Sequence, residues 1–134
     1  MHLYTKFQDM ALLVLRLIVA AIFLYGGYAK WIFWSAVPDG MPAGMVMLIK
    51  FLSIVEPLGG LALVMGFLTF WASAGLAIIM VGAVLILRFT MGIGFFTSLQ
   101  GTGLDYNLLI LAGCIALMAF GAGRYSVDAK WRKV

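Results

Sequence analysis

Four apolar stretches, at residues 10–33, 45–68, 71–90 and 104–122, leave this chain few ways to fold. A helix needs roughly 20 residues to cross a hydrocarbon core of about 30 Å, and each stretch meets or approaches that length. The segment at Ser35–Gly44 carries Pro38, Asp39, Gly40, Pro42 and Gly44, which is the chemistry of a turn. In lipid the backbone must satisfy its own donors and acceptors, so such stretches read as antiparallel helices. Composition agrees, because 65% hydrophobic and 10% charged residues cannot clothe a soluble domain. The expectation is all-α: an integral membrane four-helix bundle, one transmembrane domain spanning residues 1–134. The first stretch is longer than a signal-peptide core and lacks a small-residue cleavage site, so it reads as an uncleaved span.

The formal net charge of +4 is spread along the chain and gathers only at its end, which fits a membrane surface and excludes nucleic acid as a partner. Lys6, Arg124, Lys130, Arg132 and Lys133 flank one side of a four-span chain; Lys30, Lys50 and Arg88 flank the other. The positive-inside rule then puts both termini in the cytoplasm, with Trp31 and Trp34 as an aromatic belt on the far side. The single cysteine, Cys114, leaves no internal disulfide or CxxC pair, and the single histidine, His2, leaves no haem with two histidine ligands. No metal site and no covalently or metal-bound cofactor is expected.

Against this background Glu56 stands out. It lies in Ser53-Ile54-Val55-Glu56-Pro57-Leu58-Gly59-Gly60, inside a run otherwise apolar from Phe51 to Trp71. Inserting such a group costs about 2.5–3.5 kcal/mol on translocon scales, and intramembrane carboxylates are functional candidates by default. Pro57 frees the carbonyl of Ser53 and is expected to bend the helix beside Glu56. At 100° per residue, Arg16, Ala20, Phe23, Gly27 and Lys30 form one stripe, and Ser53, Glu56 and Gly60 another. In the third span Ala74, Ala77, Val81, Val84 and Arg88 align, and in the fourth Asp105, Ala112, Ala116, Ala119 and Gly123. These stripes are expected to face one another. Centring each stretch in the bilayer puts Glu56 near mid-depth, with Arg16 below and Arg88 above as its candidate partners. Asp105 caps the fourth helix or joins the polar cluster, and residues 91–103 form a loop or a re-entrant segment; both alternatives stay open.

Several segments resemble the DoxX family. They are Gly26-Gly27-Tyr28-Ala29-Lys30 following Arg16, the run Glu56-Pro57-Leu58-Gly59-Gly60 continuing to Thr69, Asp105-Tyr106-Asn107-Leu108, and Gly121-Ala122-Gly123-Arg124-Tyr125-Ser126-Val127-Asp128. The resemblance implies a four-helix protein of the prokaryotic inner membrane, and some members are described as subunits of quinone-linked systems. The chain departs from the family pattern at Asp105, where glutamate is usual, and at Arg88, near which histidine is frequent. A permanent cation cannot relay protons as an imidazole does.

Three functional classes follow. The first is a membrane subunit of a quinone-linked oxidoreductase. There Glu56 is the candidate catalytic acid, and a polar cluster of Glu56, Arg88, Asp105, Asn107, Arg16 and Lys30 surrounds a quinone headgroup. Electrons would come from partner redox subunits. The second is a structural anchor or assembly subunit of a larger membrane complex, its buried charges setting helix register. The third is a small proton-coupled transporter, a class that pairs two copies of the chain around its acids.

Overall fold

The computed structural model describes residues 2–132; Lys133 of the basic tail lies outside them, as does the side chain of His2. Four apolar helices run antiparallel: α1 (His2–Ala29), α2 (Ala43–Met65), α3 (Thr69–Phe89) and α4 (Leu104–Phe120). A 3-10 turn, Lys30–Trp34, extends α1, and a short helix α5 (Val127–Trp131) ends the described chain. The first three helices are long and apolar enough to cross a membrane; α4, with 17 residues, is shorter and rises about 25 Å. The fold is an all-α membrane bundle. Helix α1 begins at His2, well before its apolar run, because nothing in the polar start breaks a helix.

α1 packs chiefly on α2, and α3 on α4, with a shared core of Val19, Phe23, Leu63, Leu76, Met80, Ile110 and Leu117. Small residues let α1 and α2 come close. A Cβ on Gly27 would overlap the Pro57 ring, and one on Gly60 would stand 2.9 Å from Leu24 and 3.1 Å from the Ala20 carbonyl. Without a strong hydrophobic drive between helices in lipid, such backbone approach is what holds them together.

The stripes expected for α1 and α2 are the buried ones, Arg16 through Gly27 with Lys30 half-buried, and Ser53, Glu56 and Gly60. Of those expected for α3 and α4, Ala77 is buried and the others are half-buried or exposed. α3 buries Thr69, Ser73, Leu76, Ala77 and Met80, leaving Val81 and Arg88 exposed; α4 buries Ile110, Gly113, Cys114 and Leu117, leaving Ala112 and Ala119 exposed. The reason is physical. Lipid is as apolar as leucine, so a row of alanines carries no preference for the inside. Residues 91–103 form an irregular loop with no helix, closed by a bridge between Ser98 and Gly101.

At the end that the positive-inside rule assigns to the cytoplasm, the chain after α4 folds back over the α2–α3 hairpin. Gly66 ends α2 in the left-handed region at φ 65°, and Leu68 follows at φ 47°, a conformation costing a non-glycine residue roughly 1–2 kcal/mol. Asp128 offsets that cost. Its two carboxylate oxygens accept the Leu68 amide at 2.8 Å and the Thr69 amide at 2.9 Å, while its own amide donates to the Gly66 carbonyl at 2.9 Å. α3 has no side-chain cap from its own N-terminal neighbour, so Asp128 supplies one from α5. Burial alone would raise the Asp128 carboxyl; the Thr69 and Leu68 amides and the charge of Arg132 outweigh it and hold the group below the usual carboxylate range.

Two outcomes follow from this packing. Gly27→Ala lowers the thermal stability of the detergent-purified protein by about 1–3 kcal/mol through overpacking, whereas Gly75→Ala, in open space, leaves it unchanged or slightly raised. Asp128→Ala costs about 1–2 kcal/mol at neutral pH. Because the folded carboxyl titrates below its unfolded value, its contribution is present above the unfolded value and lost as pH falls through the folded one. The difference in thermal stability between parent and Asp128→Ala should therefore shrink below about pH 4.

Candidate functional site

The partner of Glu56 is Lys30. The ammonium lies 2.9 Å from Oε2, with the carboxylate side chain 4% exposed and the lysine 29%. Lys30 Nζ also donates to the Gly26 carbonyl at 3.2 Å. Gly26 makes room for the pair: a Cβ there would lie 3.3 Å from Glu56 Oε2 and 3.8 Å from Lys30 Nζ. Among the described residues this is the one ion pair.

Neither arginine expected as partner fills that role, and the register of α1 against α2 explains why. Gly66 lies against Arg16, Gly60 against Ala20 and Leu24, Pro57 against Gly27, and Ser53 against Trp31 and Trp34. Glu56, near the middle of α2, is thus level with the C-terminal end of α1, where Lys30 follows. Fourteen residues of helix, about 20 Å, separate Lys30 from Arg16. Arg16, 1% exposed, instead donates from Nη1 to the Ala122 carbonyl and from Nη2 to the Tyr125 carbonyl, both at 2.6 Å. It ties the C-terminal segment to the bundle. Arg88 is exposed at the end of α3 and donates to the Ile93 carbonyl of its own loop at 3.3 Å.

Pro57 sits inside α2 and supplies the next part of the site. A proline ring has no N–H, so the carbonyl of Ser53 loses its helical partner. The Trp31 indole N–H fills the vacancy at 2.9 Å. Trp34 donates its indole N–H to Ser53 Oγ at 3.0 Å, and that hydroxyl donates to the Lys50 carbonyl at 2.6 Å. Lys50 Nζ stands 5.2 Å from the Trp34 ring centroid, within cation–π range. Both tryptophans, expected only as an interfacial belt, are therefore bonded members of the site. The signal for Trp31 was present in the sequence as a proline four residues after Ser53; which donor would come was not. Beside them a groove of about 580 Å³, lined by Trp31, Trp34, Ser53, Ile54, Pro57 and Leu58, opens on the α1–α2 face.

Asp105 and Asn107 belong elsewhere. Asp105 accepts the Thr97 hydroxyl at 2.6 Å and the Thr97 amide at 2.9 Å, fastening the 91–103 loop to the first turn of α4. It does not take the N-cap position, which is Gly103. Asn107 Nδ2 lies 3.8 Å from the Met80 sulfur. The six expected residues therefore separate into three groups: Lys30 with Glu56, Arg16 at the opposite end of α1, and Arg88, Asp105 and Asn107 on α3 and α4. Among the described residues no cluster of three or more His, Cys, Asp or Glu is placed to hold a metal ion.

A membrane helical bundle with one acid–base pair where its first two helices meet, and a tryptophan-lined groove on the same helix pair, is the class of protein these features define. The chain belongs to the DoxX family, whose model matches residues 11–88, a stretch containing Arg16, Lys30, Ser53, Glu56, Pro57 and Arg88. It is similar to the inner membrane protein YqjF of Escherichia coli (strain K12), 28% identical over 125 residues that cover 92% of this chain and 93% of that one. No solved structure matches it significantly. The protein is a multi-pass protein of the inner membrane.

The pair itself can be tested by substitution. Lys30→Met strands a buried carboxylate and lowers stability by about 2 kcal/mol, less than for a fully enclosed pair because the lysine is partly solvated. The double substitution Lys30→Met with Glu56→Leu recovers most of that loss. A double-mutant cycle on thermal unfolding in detergent measures both, and strict additivity would remove the coupling.

Proposed function

We propose that the protein is a small membrane subunit of a quinone-linked oxidoreductase, and that the Lys30–Glu56 pair receives the polar head of a quinone arriving from the bilayer. The observation that carries this reading is the pair's position: a 2.9 Å ion pair, its lysine still 29% exposed, whose chain neighbours Trp31 and Pro57 line an open apolar groove of about 580 Å³. The chemistry suits such a ligand. An ammonium donates to a quinone carbonyl, a neighbouring carboxylate balances a proton gained on reduction, and apolar walls accept a ring and tail. Trp31 and Trp34 bring flat aromatic faces on which a ring stacks, and their indole N–H groups are already engaged, so they add surface without unsatisfied donors. Electrons reach the quinone from a partner subunit in this reading, and Arg88, Asp105 and Asn107 take no part.

A structural role is the second reading, favoured by the fact that the pair lies where α1 and α2 approach most closely at Gly27 and Pro57. Fluorescence separates the two. In a Trp71→Phe, Trp131→Phe background, the remaining indoles are Trp31 and Trp34. A short-chain quinone titrated into the purified protein should quench them saturably, and Lys30→Met should weaken the apparent affinity by about tenfold, the worth of a hydrogen bond from a charged donor. Quenching that is linear, or unchanged by Lys30→Met in folded protein, rejects the quinone site and leaves the structural role.

A further inference from the structure

The opposite end of the bundle holds a second concavity, remote from the acid–base pair. It is a groove of about 950 Å³ between the α2–α3 hairpin, the last turn of α4 and the C-terminal segment. Two carboxylates line it, and both are engaged with backbone: Asp9 Oδ1 accepts the Arg124 amide at 2.9 Å, and Asp128 takes the Leu68 and Thr69 amides. The N-terminus of α3 is therefore already occupied. Two guanidinium groups, of Arg124 and Arg132, also line the groove, and neither makes a hydrogen bond or ion pair among the described residues. Arg132 senses the charge of Asp128 without bonding to it. The remaining wall is apolar, with Trp71 at 71% and Phe120 at 76% exposure.

We propose that this groove seats one anionic phospholipid, its phosphodiester between Arg124 and Arg132 and an acyl chain passing Trp71 and Phe120 along the α3–α4 face. The available donors favour it: Asp9 Oδ1 and both Asp128 oxygens are taken by backbone amides, so the two guanidinium groups are the charged groups whose hydrogen bonds the groove still has to offer a ligand. Location favours it too. This end carries Lys6, Arg124, Lys130 and Arg132, the side the positive-inside rule turns to the cytoplasm, where anionic lipids concentrate. An exposed tryptophan beside the arginines marks headgroup depth, and the apolar wall has no use for a soluble anion. A free phosphate would meet the same guanidinium groups, so the acyl chain is what distinguishes the two ligands.

Native mass spectrometry of the full chain tests this, after delipidation and incubation with equimolar phosphatidylglycerol and phosphatidylcholine. One phosphatidylglycerol should be retained in preference to phosphatidylcholine. Arg124→Gln with Arg132→Gln should lower its retention roughly thirtyfold, each surface cation contributing about tenfold or less. Lys6→Gln with Lys130→Gln removes the same charge from the same end outside the groove and should change retention little. Equal loss in both double variants would reduce the effect to diffuse attraction and overturn the site. So would equal retention of the two lipids, or displacement of the phosphatidylglycerol by millimolar inorganic phosphate.

Discussion

Where Gly27 meets Pro57, the α1 backbone and the α2 ring touch so closely that a single added methyl group would not fit. That contact sets the axial register of the first two helices, and the register sets nearly everything else. It levels Lys30 with Glu56, brings the Trp31 indole to the carbonyl that Pro57 leaves without a donor, and lays Gly66 against Arg16. In lipid, where burying a leucine between helices gains little over leaving it in the acyl chains, such close contacts are the means by which a bundle chooses one arrangement.

α1 and the turn that extends it carry two cations, Arg16 buried and Lys30 half-buried, and the bundle treats them differently. Lys30, at the outer end, meets a carboxylate and keeps partial access to solvent. Arg16, nearly without exposure, meets two carbonyl oxygens. The carbonyls accept from Nη1 and Nη2 of the guanidinium, leaving Nε without a hydrogen bond, and they are those of the segment that returns after α4. The result is a clasp: Arg16 fixes Ala122 and Tyr125, Asp9 fixes the Arg124 amide, and Asp128 caps α3 across the chain. The end that carries Lys30 is more open, with its one ion pair, a groove and its tryptophans at the surface. An open acid–base pair at one end and a tied-down segment at the other is the asymmetry from which the proposed quinone site draws its support.

Much of this was legible before any coordinates. The stripes of α1 and α2 could be read because each includes a charged residue and a glycine, residues whose placement in a bilayer is strongly constrained. The freed Ser53 carbonyl could be read because proline's missing N–H is a covalent fact. The inner faces of α3 and α4 could not be read, since their alanines are tolerated equally against lipid and against protein. Trp31 and Trp34 looked like interfacial anchors because an indole's position along a helix says nothing about which acceptor its N–H will find. Asp105 looked like a helix cap or a site residue, and its fastening to Thr97 depends on how a glycine-rich loop folds back.

By itself the sequence determined the four apolar helices, the membrane as solvent, the antiparallel order of the helices, the family, and the presence of an acid that needed an answering charge. Hydropathy and covalent constraint act locally, so they survive in the linear order of residues. The tertiary structure alone decided which cation answers. Centring each apolar run in the bilayer placed Glu56 near Arg16 and Arg88, but a helix can slide along its neighbour by several residues at almost no cost in hydropathy. The close contacts of Gly27 with Pro57 and of Gly60 with Ala20 and Leu24 remove that freedom, and they place Lys30, about 20 Å from Arg16, at the side of Glu56.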